Sequence, residues 1–390
     1  GKNAIVITAQ ADRELAIKDL VKSAFGHAGQ KCSAASLAIV ESEVYHDPIF
    51  RRQLRDAAAS LAVGPSTALY NVVTPLIRPP SPALLRALTT LEKGEEWLLE
   101  PKQDPQDPCL WSPGIKLGVQ PNSWFHQQEC FGPVLGIMCA TSLEEAICWQ
   151  NATAYGLTAG LHSLDPIEQK RWMNQVEAGN LYINRPITGA IVRRQPFGGW
   201  KRSSIGAGIK AGGPHYVRSF SRFSDSEQVP FSIVSARYSE AWKRTFSAEH
   251  DPSNLRCESN ILRYRPRRGV ILRLAKKDSQ ILERAQLASQ LTHTPLLVSI
   301  AADESDREFI KRLGELCLHS DTLRTVKPPS DTVLQAAYEH NLNWIDAPIT
   351  ADGYSELCFW LREQVISQTL HRYGQIPAWI PKSRQKRSTP

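Results

Sequence analysis

An α/β fold in two units is predicted by three observations. Strand-like and helix-like stretches alternate through the first half of the chain, the pattern of a mostly parallel sheet. The alternation lapses in a loop-rich region and restarts beyond residue 230. The chain has 390 residues, 42% of them apolar and 22% charged, enough for two or three cores under a solvated surface.

The elements follow in order. Ala4 to Thr8 is a short apolar run, as in a buried strand. Ala11 to Phe25 carries Leu15, Ala16, Leu20, Val21 and Ala24 at helical spacing. Ser36 to Glu41 and Val134 to Ala140 read as strands, Leu143 to Trp149 and Pro166 to Val176 as helices, and Leu181 to Asn184 as a strand. Gly64 to Pro82, rich in Pro, Ser and Thr, reads as a long surface connection. Arg185 to Pro214 is glycine-rich without periodicity, so loops are expected to converge there, and function concentrates on such loops.

A boundary is expected between Ser219 and Pro230, dividing the chain into residues 1–222, 223–375 and a basic tail, 376–390, with Pro381 to Pro390 expected to be disordered. In the second unit Val270 to Leu274, Pro295 to Ile300 and Asn343 to Asp346 read as strands, and Asp278 to Leu291, Glu304 to Leu318 and Ser330 to His340 as helices. It has neither Gly-x-Gly-x-x-Gly nor a Walker-type loop, so it is a nucleotide-binding topology without the phosphate grip. Leu361, Val365, Ile366 and Leu370 fall on one helical face, which predicts a last helix, Leu361 to Leu370, as a lid.

Composition excludes several classes. The net charge of +7 comes from 46 basic and 39 acidic residues, dispersed except at Arg193-Arg194, Arg265 to Arg268 and the tail, so no specific nucleic-acid partner is expected. Cys32, Cys109, Cys130, Cys139, Cys148, Cys257, Cys317 and Cys358 form no Cys-x-x-Cys pair and have no accompanying His cluster. No metal site and no disulfide framework are therefore expected, and a reducing, cytoplasmic compartment is. No apolar run reaches the roughly 18 residues of a membrane span, and the opening residues are not a signal peptide. The chain opens inside a strand without Met, so a longer parent polypeptide is expected.

The sharpest chemical feature is Phe25-Gly26-His27-Ala28-Gly29-Gln30-Lys31-Cys32-Ser33, where a helix stops at glycines just before one cysteine. Such a turn can present a thiol in a cleft, and a thiolate attacks carbonyl carbon. A lone cysteine is as readily a small core residue. Glu129 reads equally as a surface acid before a strand, Phe131 as core, and Ser33 as a residue bonded to its local backbone.

The stretch from Phe25 to Ser33 resembles the Phe-x-x-x-Gly-Gln-x-Cys motif of the aldehyde dehydrogenase superfamily. Glu129-Cys130-Phe131-Gly132-Pro133-Val134 and Gln195-Pro196-Phe197-Gly198-Gly199 resemble two more of its motifs, in the family's order. Gly26 to Ala34, Ile187-Thr188-Gly189-Ala190 and Ala211 to Val217 are similar to glutamate-semialdehyde (pyrroline-5-carboxylate) dehydrogenases. Ala347-Pro348, Ala351-Asp352-Gly353 and Leu361 to Ser367, running on to His371-Arg372-Tyr373-Gly374, resemble the C-terminus of long proline utilization A enzymes, a bifunctional bacterial family.

The resemblance implies an aldehyde dehydrogenase catalytic domain followed by a smaller degenerate Rossmann-like domain, with most of the dinucleotide-binding domain upstream. Gly1-Lys2-Asn3-Ala4 resembles the end of Glu-x-Gly-Gly-Lys-Asn, which places the general-base glutamate and an oxyanion-binding asparagine before Gly1. Cys32 is then the nucleophile, its backbone N–H facing the oxyanion. Glu129 grips the nicotinamide ribose, with Phe131 beside it. Ser33, Gly189 and Ala190 hold the substrate α-carboxylate, and Phe197 flanks its aliphatic part; Phe25 is equally a candidate for that flank and for the core. The implied cofactor is NAD, with FAD only in an upstream proline dehydrogenase domain. The implied partners are a small-molecule substrate, the upstream domains and further copies of the chain. Arg193 and Arg194 depart from the family and receive no role. Two alternatives stand beside this reading: a hydrolytic aldehyde dehydrogenase of different substrate, and, for the isolated chain, an inactive assembly or lid module.

Overall fold

The computed structural model describes residues 1–224 and 228–371. Contacts divide the chain into two compact units. The first comprises Gly1–Ile191, Ser253–Asn260 and the chain from Ile366; the second comprises Val192–Pro252 and Ile261–Val365. The expected tail, 376–390, lies outside the described residues, as do 225–227 within the expected boundary.

In chain order the strands are β1 (Asn3–Ile7), β2 (Ala35–Glu41), β3 (Glu96–Leu99), β4 (Gly114–Leu117), β5 (Val134–Ala140), β6 (Tyr155–Gly156), β7 (Thr158–His162), β8 (Asn180–Ile183), β9 (Trp200–Lys201), β10 (Glu258–Pro266), β11 (Val270–Leu274), β12 (Leu296–Ile300), β13 (Thr322–Thr325), β14 (Asn343–Ile345) and β15 (Leu361–Thr369).

The first unit is built on a sheet of order β10-β15-β8-β7-β1-β2-β5-β4-β3. From β8 to β4 the neighbouring strands run parallel, and β3 closes the edge antiparallel to β4. β1 and β7 are buried at every residue, as parallel strands covered on both faces must be. The helices start where side-chain caps satisfy their first amides. Asp12 caps the first helix, α1 (Arg13–Phe25), by accepting from Leu15 N at 3.2 Å. Asp47-Pro48, Ser81-Pro82 and Asp165-Pro166 start three others, each combining a capping oxygen with proline in the first turn.

The second unit contains a four-stranded parallel sheet of order β12-β11-β13-β14. Val270, Leu272 and Leu274 of β11 face one apolar core and Ile271 the other, the two-residue alternation of a strand buried on both sides. Helices Ser279–Thr292, Asp306–His319 and Asp331–Glu339 connect these strands. Ser305 and Glu308 form a reciprocal capping box at the second of them. Arg324, fully buried, pairs with both oxygens of Glu356 at 2.5 and 3.0 Å and donates to the carbonyls of Ala347 and Pro348. A buried ion pair needs such complete satisfaction to repay its desolvation.

One expectation is corrected. The segment expected as a helix, Leu361 to Leu370, instead forms a strand, β15, over Leu361–Thr369. It lies between β10 and β8 in the large sheet, buried on both faces through much of its length. Non-local pairing takes over a segment that contains Val365, Ile366 and Thr369, residues suited to a pleated surface. The helical lid inferred from its periodicity falls with it.

Candidate active site

The candidate nucleophile is placed by a left-handed turn. α1 ends at Phe25, which is wholly buried, so it packs in the core and flanks no cleft. His27, Ala28 and Gly29 then take φ values of 53°, 51° and 69° in succession. A non-glycine residue in this region costs roughly 1–2 kcal/mol, so two in a row ahead of Gly29 mark a turn held by its surroundings. A Cβ on Gly29 would stand 2.1 Å from the Gly132 carbonyl oxygen, so only glycine lets the cysteine loop touch the loop before β5.

Side chains then clamp the loop. The Gln30 amide donates to Phe131 O at 3.3 Å and accepts from Ile77 N at 3.1 Å, tying three loops together. Asn3, at the start of β1, donates to Cys32 O and Ala34 O, both at 2.9 Å, and accepts from Thr158 N at 3.2 Å. Thr158 Oγ1 donates to Ser33 O at 3.3 Å. The result is an exposed Cys32 beside a buried Ser33, with the backbone beneath them pinned.

Cys32 precedes β2, and Glu129 and Phe131 precede β5, the parallel neighbour of β2. Both motifs therefore enter the sheet at its amino-terminal edge, where Asn3 and Thr158 also lie. This is the opposite edge from the carboxyl-end crevice where doubly wound sheets bind ligands. Glu129 is partly exposed and lies against the Gly1 nitrogen. Phe131 has φ 61° and is 44% exposed, so it is neither relaxed nor core. A strained aromatic held open to solvent is the kind of outlier that functional sites keep. Phe131, Gln30, Ile77, Pro79, Leu84 and Cys130 line a cleft of ≈ 400 Å³, within the size range of ligand sites.

Two groups behind this surface were missed by sequence reasoning. Lys2 is buried, with Nζ 3.9 Å from the Phe125 ring centroid and no hydrogen-bond partner. Burial lowers its pKa to about 8, while Cys130 and Glu129 pull it back up. Cys130 is itself buried, and burial pushes its thiol up, so it is the inert neighbour of an exposed Cys32. Asn3 and Lys2 stood inside a noted motif, yet only the fold shows what they touch.

Gly189 and Ala190 lie exposed on the loop after β8, and Gly189 has φ 84°. That loop doubles back along the sheet. Ile187 N donates to Ser23 Oγ at 3.1 Å, in the last turn of the helix that leads into the cysteine loop. Phe197 belongs to the second unit, half-buried and paired through its backbone with Ala211. Arg193 takes φ 68° and is exposed. Among the described residues no cluster of three or more His, Cys, Asp or Glu is arranged to hold a metal ion. No helix among them is long and apolar enough to cross a membrane.

The family model for the aldehyde dehydrogenase family matches residues 1–225. This chain belongs to the aldehyde dehydrogenase family. Within it, the first part of the chain is similar to 1-pyrroline-5-carboxylate dehydrogenases. It is 37% identical to that of Geobacillus thermodenitrificans over 218 residues, covering 56% of this chain and 42% of the relative. A Thermus 1-pyrroline-5-carboxylate dehydrogenase solved with bound NAD superposes with a TM-score of 0.51 at 32% identity, over 56% of this chain and 42% of that one. Proline utilization A from Corynebacterium freiburgense matches 96% of this chain at 44% identity with a TM-score of 0.84, and this chain spans 39% of it. The chain thus spans less than half the length of the relatives it matches. The last match takes in nearly the whole chain, the other two little more than half of it.

Proposed function

We propose that this chain is the part of a proline utilization A-type enzyme that oxidises L-glutamate γ-semialdehyde, formed from pyrroline-5-carboxylate, to glutamate with NAD. The carrying observation is the exposed Cys32 thiol, pinned at the same sheet edge as Glu129 and the strained Phe131. The 44% identity to proline utilization A over 96% of the chain supports the finer assignment.

In this reading the Cys32 thiolate attacks the aldehyde carbon. A C–S bond forms and the carbonyl oxygen becomes an oxyanion, which the Cys32 backbone N–H stabilises in this reading. NAD, when bound, supplies the hydride acceptor. The thioester left on Cys32 is released by water as the carboxylate. Glu129 offers two carboxylate oxygens to ribose hydroxyls, and the cleft beside Phe131 has room for part of a dinucleotide. The buried Ser33 and the backbone of Gly189 and Ala190 suit an α-carboxylate, and Phe197 suits the aliphatic chain between it and the aldehyde. The parallel sheet of the second unit turns from β11 into its helix through Ala275–Asp278, without glycine, which favours a non-catalytic relative of the dinucleotide-binding fold.

The test is Cys32→Ala in the full-length polypeptide. Semialdehyde oxidation is expected to fall at least about 10³-fold, with NAD affinity retained. Undiminished turnover defeats the assignment of Cys32. A preference of the parent protein for simple alkyl aldehydes over the semialdehyde would instead leave the family chemistry and remove the substrate.

A further inference from the structure

Phe197 is held through two buried residues, Lys210 and Glu363, to which the sequence motifs give no role. Phe197 and Ala211 exchange both backbone hydrogen bonds at 2.9 Å. Lys210, next to Ala211, is 1% exposed and donates from Nζ to the Gly198 carbonyl. Glu363, at the start of β15, accepts from Lys210 N at 2.7 Å. The Glu363 carbonyl accepts from the indole nitrogen of Trp200 at 2.9 Å. The Phe197–Trp200 segment is thus tied on both sides, through Lys210 and through Glu363, all within the second unit.

The packing is close. A Cβ on Gly198 would lie 3.3 Å from Lys210 Cγ and one on Gly213 3.0 Å from Lys210 O, so neither backbone has slack. Burial lowers the Lys210 pKa and raises that of Glu363, and each charge draws the other back toward the ionised form. The second Glu363 oxygen has no hydrogen-bond partner and faces His215 Nε2 at 3.9 Å, beside Cys358 and Tyr264. This Cys358–His215–Glu363 grouping is not a second nucleophile. Burial pushes the Cys358 thiol up, and the cavity it lines, ≈ 10 Å³, admits no substrate. What these groups can do is hold a loop.

We propose that Lys210 and Glu363 are positioning residues that fix Phe197 and thereby set recognition of the semialdehyde's chain. The proposal rests on the substrate role given to Phe197 above, but the clamp can be tested without it. Amide exchange at Phe197 and Ala211 in the full-length protein is expected to quicken about tenfold in Lys210→Met and Glu363→Ala, the scale of one lost hydrogen bond to a charged group. Glu363→Gln keeps an acceptor for Lys210 N and should stay near the parent. Equal exchange rates in all four proteins overturn the clamp. In steady-state assays the first two variants should raise the semialdehyde KM about tenfold while kcat and the NAD KM hold, with Glu363→Gln restoring it. A matching loss in kcat and in the NAD KM means a general structural role and also overturns it. If Phe197→Leu leaves the semialdehyde KM unchanged, the substrate role of Phe197 fails, and exchange alone still decides the clamp.

Discussion

Gly29 and Gly132 stand so close that a methyl group on Gly29 would meet the Gly132 carbonyl oxygen at 2.1 Å. The contact joins the loop of Cys32 to the loop of Glu129 and Phe131, and the bond from Gln30 Nε2 to Phe131 O reinforces it. The loops of Cys32 and of Glu129 and Phe131 are therefore one mechanical unit.

Gly29→Ala must part these loops and strain a residue at φ 69°. A loss of roughly 3 kcal/mol in urea unfolding is expected, with aldehyde oxidation impaired. Gly26→Ala is the control, since its added Cβ meets nothing within 4 Å. Similar stability for the two variants would mean that the close approach does not constrain the loops.

Thiol accessibility separates neighbours in the site. Cys32 is exposed and Cys130 is 6% exposed with its thiol pushed up by burial. Brief iodoacetamide treatment followed by peptide mass spectrometry should modify Cys32, along with the exposed Cys148 and Cys257, and spare Cys130. Labelling of Cys130 before Cys32 contradicts this arrangement.

Lys2 predicts a pH dependence of stability. Its pKa is about 8 in the fold and 10.5 in the open chain. Between those values the unfolded chain binds a proton that the folded protein does not, so stability rises with pH across that window and is lost as pH falls through about 8. Lys2→Met should remove that rise and stabilise the protein at pH 7 by on the order of 3 kcal/mol. Parallel unfolding profiles of variant and parent at pH 7 and 10 would exclude the effect.

If Glu129 holds ribose hydroxyls as proposed, Glu129→Gln removes charge from those hydrogen bonds and leaves their geometry available. NAD affinity of the full polypeptide, measured by calorimetric titration, is expected to weaken about tenfold. An unchanged Kd takes Glu129 out of the cofactor site.

Local pattern carried much of this protein. The strand Val134–Ala140 matches its sequence expectation end to end, because an apolar run buried on both faces needs no partner to be recognised. The Asp-Pro and Ser-Pro starts of the helices at Pro48 and Pro82 are equally local signals, a capping oxygen next to a proline in the first turn. Cys32, Glu129 and Phe131 were visible as motifs, since close backbone contact demands particular residues.

The α/β class, the family and the candidate nucleophile are legible in the chain alone, because all are expressed in short-range spacing of residue types. That Leu361–Thr369 is a strand inside the large sheet, that Asn3 and Thr158 hold the cysteine loop, and that Lys210 meets Glu363 emerge only once the chain has folded. Each depends on residues far apart in the chain. Burial and pairing energies between distant segments exceed the few tenths of a kcal/mol by which local propensity distinguishes one conformation from another.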